Sequence, residues 1–374
     1  MPIERRLLAR IRSKLFQGKM IVLYGARRVG KTTLCKKLLE EFGAQGRYLN
    51  CEILSVKEGL SEAEPAKLAS FLGDAKVVVL DEAQTLPHAG AILKLLADEL
   101  PQTQFIATGS SAFALAQGTG EPLTGRALRL TMTPVTAREA FSSGAQATAG
   151  LEARLRFGWY PEVIGLPDAD AAERLEEIAS NYLFRDVLGY EGIKKAPAIS
   201  RMCQLLALQI GQEVSFSELG TQLGMAHSTV QKYVEILEQS HVLFVLRPFS
   251  RNPRKELSKS PKIYFWDLGI RNALIRNFNP PALRADVGAL WENFCLAERR
   301  KARLLIGTEP NRYFWRTRQQ KEVDLVEEDA GALAGFEFKW SPKGSAGPGA
   351  AEFAQEYGAN VSVVTRKDWW EWVK

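Results

Sequence analysis

Apolar runs and amphipathic stretches alternate through the first third of the chain. Met20-Ile21-Val22-Leu23-Tyr24 carries no charge and predicts a buried strand, and Thr33 to Leu39 follows with apolar residues three and four apart, the spacing of one helix face. Arg47-Tyr48-Leu49-Asn50-Cys51, Lys76-Val77-Val78-Val79-Leu80 and Gln104-Phe105-Ile106-Ala107-Thr108 predict further short strands. Such strands, separated by helical stretches, pack as a mostly parallel sheet with helices on its faces. Ahead of them, Ile3, Leu7, Ile11 and Leu15 recur every four residues among Arg and Lys, so Met1 to Gly18 is expected to form an amphipathic helix.

The periodicity changes after residue 150. Leu151 to Gly211 reads as helical, with AAERLEEIASNYLFRDVL placing apolar positions on one face and charges on the other, and it carries no reactive constellation. Then Ser217 to Leu223 forms a short helical stretch, Gly224-Met225-Ala226-His227 a turn, and Ser228 caps a second helix bearing Val230, Tyr233, Val234, Ile236 and Leu237. Val242 to Leu246 is β-rich. Helix, turn, helix and strand pair resembles a winged-helix module. The expected domains are a sheet core at 1–142, a helical lid or connector at 143–211, a winged helix at 212–260 and a further α/β domain at 261–374.

A chain of 374 residues is long for one core, and 46% apolar with 25% charged residues is ordinary for a soluble globular protein. No apolar run is long enough for a membrane span and the N-terminus lacks a secretion signal, so no membrane partner and a cytoplasmic location are expected. Cys35, Cys51, Cys203 and Cys295 are far apart, which suits reduced thiols rather than a zinc site or a disulfide framework. The net charge is +6, unevenly spread: from His241 to Lys321 there are seventeen Lys/Arg against six Asp/Glu. That local excess fits either a polyanionic partner or a solvated basic surface.

The chemistry concentrates in Tyr24 to Leu34, YGARRVGKTTL. Gly25-x-x-x-x-Gly30-Lys31-Thr32, between a predicted strand and a predicted helix, is the phosphate-binding loop pattern. Backbone N–H groups of Gly25, Ala26, Arg27, Arg28, Val29, Gly30, Lys31, Thr32 and Thr33 would surround phosphate oxygens, with Lys31 on the β/γ-phosphates and Thr32 on Mg²⁺. Asp81 and Glu82 end an apolar strand where a Walker B element belongs. Asp81 is expected to join Thr32 at Mg²⁺, and Glu82 to orient and deprotonate the attacking water. ATP and Mg²⁺ are the implied cofactors. Ser110, after the Thr108-Gly109 strand end, is either a γ-phosphate sensor or part of a simple turn.

GARRVGKTTL, VVVLDEAQ, FIATGSS and LTGRALRLTMTPVTAREAF together resemble the AAA+-like P-loop ATPases of bacteria and archaea. In related ring-forming ATPases an arginine from a neighbouring subunit completes the site. The resemblance therefore implies a hexameric ring and makes Arg126 a candidate finger, with a local salt bridge as the alternative.

Two further sets follow. In DNA-binding winged helices the second helix meets base edges, which nominates His227, Ser228, Thr229, Gln231 and Lys232. Toward the C-terminus, Glu292 on a helix, Asp324 on a strand and Glu337-x-Lys339 on another resemble the PD-(D/E)xK nuclease constellation, in which carboxylates hold Mg²⁺ and the lysine orients or activates water. Val323 stands where that pattern has proline. Lys262 onward, PKIYFWDLGIRNALI with LWENF, is similar to the C-terminal module of uncharacterised function that accompanies these ATPases. The expected fold is thus an α/β P-loop parallel sheet with flanking helices, then a winged helix and an α/β restriction-endonuclease-like domain. The expected activity is an ATP-hydrolysing, DNA-binding oligomeric machine of translocase or branched-DNA remodelling type. The alternatives are an ATP-regulated Mg²⁺-dependent nuclease and a nucleotide switch that binds a protein partner in signalling or defence.

Overall fold

The structure, a computed structural model, describes residues 3–61, 64–109, 123–182, 196–251 and 260–373. Two units result: Met1–Thr133 with Gln239–His241, and Pro134–Glu238 with Val242–Lys374.

The first unit begins with α1 (Leu7–Arg12), shorter than the expected helix because turn hydrogen bonds from Lys14 to Ile11 and from Leu15 to Arg12 replace the helical ladder. Leu7, Leu8 and Ile11 are its buried face. β1 (Met20–Tyr24), α2 (Lys31–Leu39), β2 (Gly46–Asn50), α3 (Leu54–Ser61), α4 (Pro65–Leu72), β3 (Val77–Asp81), α5 (Ala89–Glu99), β4 (Gln104–Gly109) and β5 (Ala127–Thr131) follow. The strands form one parallel sheet in the order β2-β3-β4-β1-β5. Every residue of β1, β3 and β4 is buried, as expected for parallel strands covered on both faces. β1 and β4 are neighbours, yet β1 leads to β2 on one side and β4 to β5 on the other. Ligand crevices of open α/β sheets form at the carboxyl ends of such a pair.

The second unit opens with α6 (Ala137–Ala140), α7 (Gly144–Phe157), α8 (Asp168–Tyr182), α9 (Ala196–Leu208), α10 (Phe216–Leu223) and α11 (His227–Gln239). Ser215 caps α10 through Glu218 N–H, and Gly224 closes it in the left-handed conformation, which sets up the turn into α11. α11 starts at His227: the Ala226 carbonyl already accepts from Thr229 and Val230, so Ser228 lies in the first turn rather than at the cap. β6 (Leu243–Pro248) and β7 (Lys262–Phe265) then pair antiparallel.

α12 (Leu268–Leu274), α13 (Val287–Ile306), β8 (Asn311–Arg316), β9 (Glu322–Asp329), β10 (Ala332–Lys339), α14 (Pro348–Tyr357), β11 (Val361–Thr365) and α15 (Trp369–Trp372) complete the unit. One sheet runs β11-β10-β9-β8-β6-β7. β6 pairs with β7 on one side and, in parallel, with β8 on the other. The sheet therefore crosses the expected boundary at 260/261.

The basic excess also resolves differently from a surface patch. Lys262, Arg271, Arg284 and Lys301 are buried, and Arg271 and Arg284 both pair with Asp286, at 2.7 and 2.8 Å. Part of the positive charge that the sequence suggested for a polyanion is internal.

Candidate functional site

The loop between β1 and α2 is shaped by what glycine alone allows. Gly25 has φ of +152°, and a Cβ there would lie 2.1 Å from the Met132 carbonyl oxygen, so the chain can leave β1 in this direction only without a side chain. Gly30, left-handed at φ +98°, starts α2 with no side-chain cap and no acid in the first turn. A helix start of this kind offers its N–H groups and positive end to an anion. Lys31 is buried, and its Nζ donates to the Gly25 and Ala26 carbonyls at 2.7 and 2.9 Å, so the ammonium lies along the loop that would receive phosphate.

Asp81 is the centre of a set of hydroxyls. Its Oδ2 accepts from Thr32 Oγ1 at 2.7 Å and from Tyr48 OH at 2.5 Å, and its Oδ1 accepts from Thr108 Oγ1 at 2.5 Å. Thr108 Oγ1 also accepts from Glu82 N–H at 3.0 Å, so one hydroxyl fixes both Walker B residues. Glu82 stands in the left-handed region at φ 54°, and Gln84 Nε2 donates to its Oε2. Burial, then the Asp81 carboxylate, pushes the Tyr48 phenol up, so it stays a proton donor. Thr32 and Asp81 supply hard oxygen ligands at one spot, the donor set that Mg²⁺ prefers.

Lys31, Thr32, Asp81 and Glu82 are thus brought together where the sequence placed them. Thr108 and Tyr48 were missed. Thr108 is level with the Walker B turn because Leu80 pairs with Ala107, a register no local pattern reveals. Ser110 lies outside the described residues. Arg126 sits elsewhere: its carbonyl accepts from Met20 N–H, and its guanidinium pairs with Asp98 at 2.5 Å. That is the amino end of β1, about 13 Å along the strand from the loop. Within this one chain Arg126 makes the local salt bridge with Asp98.

His227, Ser228, Thr229, Gln231 and Lys232 fall on the first two turns of α11; all but Thr229, which is half-buried, are exposed, while Val230, Tyr233, Val234, Ile236 and Leu237 are buried beneath them. Gln231 donates to Glu235 at 3.0 Å, and the His227 ring lies 5.9 Å from that of Phe216.

The acidic constellation is assembled with a different membership. Carboxylate oxygens of Glu292, Glu322 and Asp324 lie within 4.8 Å of one another. Glu337 bonds through Oε2 with Gly347 N–H at 2.8 Å and Lys339 Nζ at 2.9 Å; burial opposes the Lys339 charge, but Glu337, Asp324 and Glu292 outweigh it and hold the ammonium above its ordinary range. Glu322 was legible, since it stands two residues before Asp324 on β9 and so shares its face. The unforeseen group is Lys262, whose buried Nζ reaches Glu292 at 3.2 Å and also bonds Glu322, while Tyr264 OH donates to Glu292. Burial opposes the Lys262 charge, but Glu292, Glu322 and Asp324 outweigh it and hold the ammonium above its ordinary range. Burial, then the Glu292 charge, lifts the Asp324 carboxyl to about 7 despite Lys262. A lysine ammonium thus stands among the carboxylates where that constellation would hold a metal cation.

A family model described as AAA domain matches residues 17–141, and two domains of unknown function match 148–281 (DUF8612) and 287–369 (DUF4143). Sheet, loop and matched model define the class: an AAA-type P-loop ATPase domain followed by regions without assigned function. The uncharacterised protein Rv2008c of Mycobacterium tuberculosis is 30% identical over 344 residues, 91% of this chain and 74% of that protein; the chain belongs to its family. The uncharacterised protein MJ1544 of Methanocaldococcus jannaschii is 24% identical over 340 residues, 84% of this chain and 74% of that protein. Among solved structures, the Aeropyrum pernix Orc1 protein in complex with DNA is similar at 15% identity, covering 74% of this chain and 93% of that one, with a TM-score of 0.35. The Thermotoga maritima RuvB Holliday junction branch migration motor is similar at 18% identity over 67% and 91%, with a TM-score of 0.33. Likenesses at these scores carry no inference. Among the described residues no helix is long and apolar enough to cross a membrane.

Proposed function

We propose that the chain is an ATP-hydrolysing, DNA-binding machine that works as an oligomer, of the translocase or branched-DNA remodelling type. The observation that carries the ATPase half is the hydroxyl chain Thr32–Asp81–Thr108–Glu82 beneath the bare N-terminus of α2. Loop amides from Gly25 to Thr33 and the Lys31 ammonium bind the triphosphate, with Lys31 exchanging its two carbonyl partners for phosphate oxygens. Mg²⁺, when bound by Thr32 and Asp81, neutralises charge on the β- and γ-phosphates. Glu82, held by Thr108 and Gln84, orients a water for in-line attack and takes its proton.

The exposed polar start of α11 supports DNA as the load, since a helix-turn-helix followed by an antiparallel strand pair presents such residues to a major groove. The ring is proposed by family resemblance. Nuclease chemistry is the weaker reading, because Lys262 already neutralises part of the acidic cluster. The test is nucleotide turnover in two variants: Lys31→Ala is expected to lose ATP binding or hydrolysis, and Glu82→Gln to keep binding and lose hydrolysis. Normal turnover in Glu82→Gln refutes the assigned base.

A further inference from the structure

In the second unit several guanidiniums surround one carboxylate. Arg299 and Arg303 lie one turn apart on α13 with Arg300 beside them, and Arg312 on β8 is paired across the sheet with Glu327 on β9. Arg299 takes Glu327 as a fork, with Nε 3.3 Å from each oxygen and Nη2 2.9 Å from Oε2. That bidentate pair satisfies the acid. Arg312 Nε is left at 3.5 Å and Arg303 Nη2 at 3.6 Å from it, too far for good hydrogen bonds. Arg300 lies 4.9 Å over the Phe244 ring and 4.7 Å over the Trp266 ring.

Among the described residues, Arg300 Nε, Arg303 Nε, Arg312 Nε and Arg312 Nη2 are buried N–H donors without a hydrogen-bond acceptor. Burial pulls the Arg300 guanidinium down to about 10; repulsion from Arg312 adds to this, and Glu238 and Glu309 offset part of it. Arg312 is lowered too, by burial first and by Arg299, against Glu327 and Glu309. An ion-pair network that served stability alone would pair its buried donors. This one gathers cations that repel each other and leaves their donors unmatched.

We propose that Arg300, Arg303 and Arg312 bind a phosphate group where the C-terminal half of α13 meets β8 and β9. A carboxylate has two coplanar oxygens and suits a single fork, as Glu327 with Arg299 illustrates; a tetrahedral phosphate offers oxygens to several forks that are not coplanar. Entry is open on one side: the Arg303 side chain is 27% exposed, and Gly307, Thr308 and Glu309 beside it are exposed. The phosphate comes either from a nucleic-acid backbone or from a free phosphate ion. The site itself is independent of the DNA reading, and only the duplex arm of the test rests on it.

The test uses the full chain carrying Lys31→Ala, which removes the P-loop as a competing phosphate site, with and without Arg312→Gln. Thermal unfolding is followed with and without inorganic phosphate, and binding of a fluorescent DNA duplex is measured over a salt series. Phosphate is expected to raise the melting temperature of Lys31→Ala and to leave the double variant unmoved. Without phosphate, the double variant is expected to melt at or above its parent, since repulsion between Arg300 and Arg312 is relieved. Arg312→Lys, which keeps the charge and loses the fork, should lose most of the phosphate response. If the backbone is the source, the slope of log K against log salt falls by about 0.9 for each contact removed. A lost phosphate response with an unchanged slope assigns the site to free phosphate, and a lowered slope without such a response assigns it to the backbone. The proposal is overturned by equal phosphate responses in parent and double variant, by neither response nor slope change, or by a double variant that melts well below its parent. Absence of any duplex binding sinks the DNA reading and leaves the phosphate arm standing.

Discussion

Thr108→Val removes one hydroxyl and almost no volume at a position that is fully buried. Two hydrogen bonds go with it: the donation to Asp81 Oδ1 at 2.5 Å and the acceptance from Glu82 N–H at 3.0 Å. The bond to the charged carboxylate is worth about 1.5–3 kcal/mol, and a buried N–H without an acceptor costs about 1–3 kcal/mol. Glu82 is already in a left-handed conformation, which is uphill by about 1–2 kcal/mol for a residue with a Cβ, and Thr108 helps to hold it there. Were these bonds equally strong in the bound ground state and in the transition state, their loss would appear only as lower stability. If they aim Asp81 and Glu82 during turnover, part of it appears in the barrier, and each 1.36 kcal/mol there is tenfold in rate. Thr108→Val is therefore expected to lower kcat by about 10- to 100-fold. KM for ATP should change little, because the loop amides and Lys31 are untouched. Thr108→Ser should recover most of the rate. Steady-state ATP hydrolysis beside a thermal melt reads both effects. Turnover at the parental rate with only a lower melting temperature would refute the reasoning and make the hydroxyl a structural support.

Other consequences can be measured separately. Tyr48→Phe, which deletes a second donor to Asp81 while keeping the ring, should weaken the Mg²⁺ dependence of turnover more than nucleotide binding without metal; an unchanged Mg²⁺ titration would contradict this. Lys262→Met breaks a buried pair and leaves its carboxylates uncompensated, so urea unfolding should show a loss of about 3–5 kcal/mol, partly restored by millimolar Ca²⁺ or Mg²⁺; parental stability would show that Lys262 does not neutralise the cluster. The Asp286 carboxyl is held at about 2 by Arg284 and Arg271 against the opposing effect of burial. A depressed acid stabilises above its unfolded value and loses that contribution as pH falls through its folded value. The unfolding free energy should therefore decline from about pH 4 toward pH 2 by about 1–2 kcal/mol after allowance for solvent screening, read by urea unfolding at each pH, and Asp286→Asn should flatten that decline. Lys232→Ala should reduce the salt slope of duplex binding by about 0.9 if that residue meets a phosphate.

What the sequence disclosed was local. β1, the glycine loop and the apolar strand ending at Asp81 and Glu82 are contiguous patterns, and each lies where the run of residues placed it. What depends on register was hidden. Thr108 reaches Asp81 because of how β3 pairs with β4, and Tyr48 reaches the same carboxylate because β2 lies beside β3. Glu322 could have been found from strand alternation alone. Lys262 could not, since nothing near it in sequence distinguishes a lysine buried among three carboxylates from one on a solvated face. β5 carried no clear signal either: its pattern of mostly half-exposed residues lacks the unbroken apolar run of the central strands.

The most direct measurement is steady-state ATP hydrolysis by the full chain with no DNA, with duplex, with single strands and with a four-way junction, using Glu82→Gln as the blank. Stimulation by one of these DNA forms, absent in the blank, is the predicted result and would identify both the load and its preferred geometry. A rate above the blank that no DNA form changes would contradict the DNA-driven machine and favour a nucleotide switch acting on a protein partner.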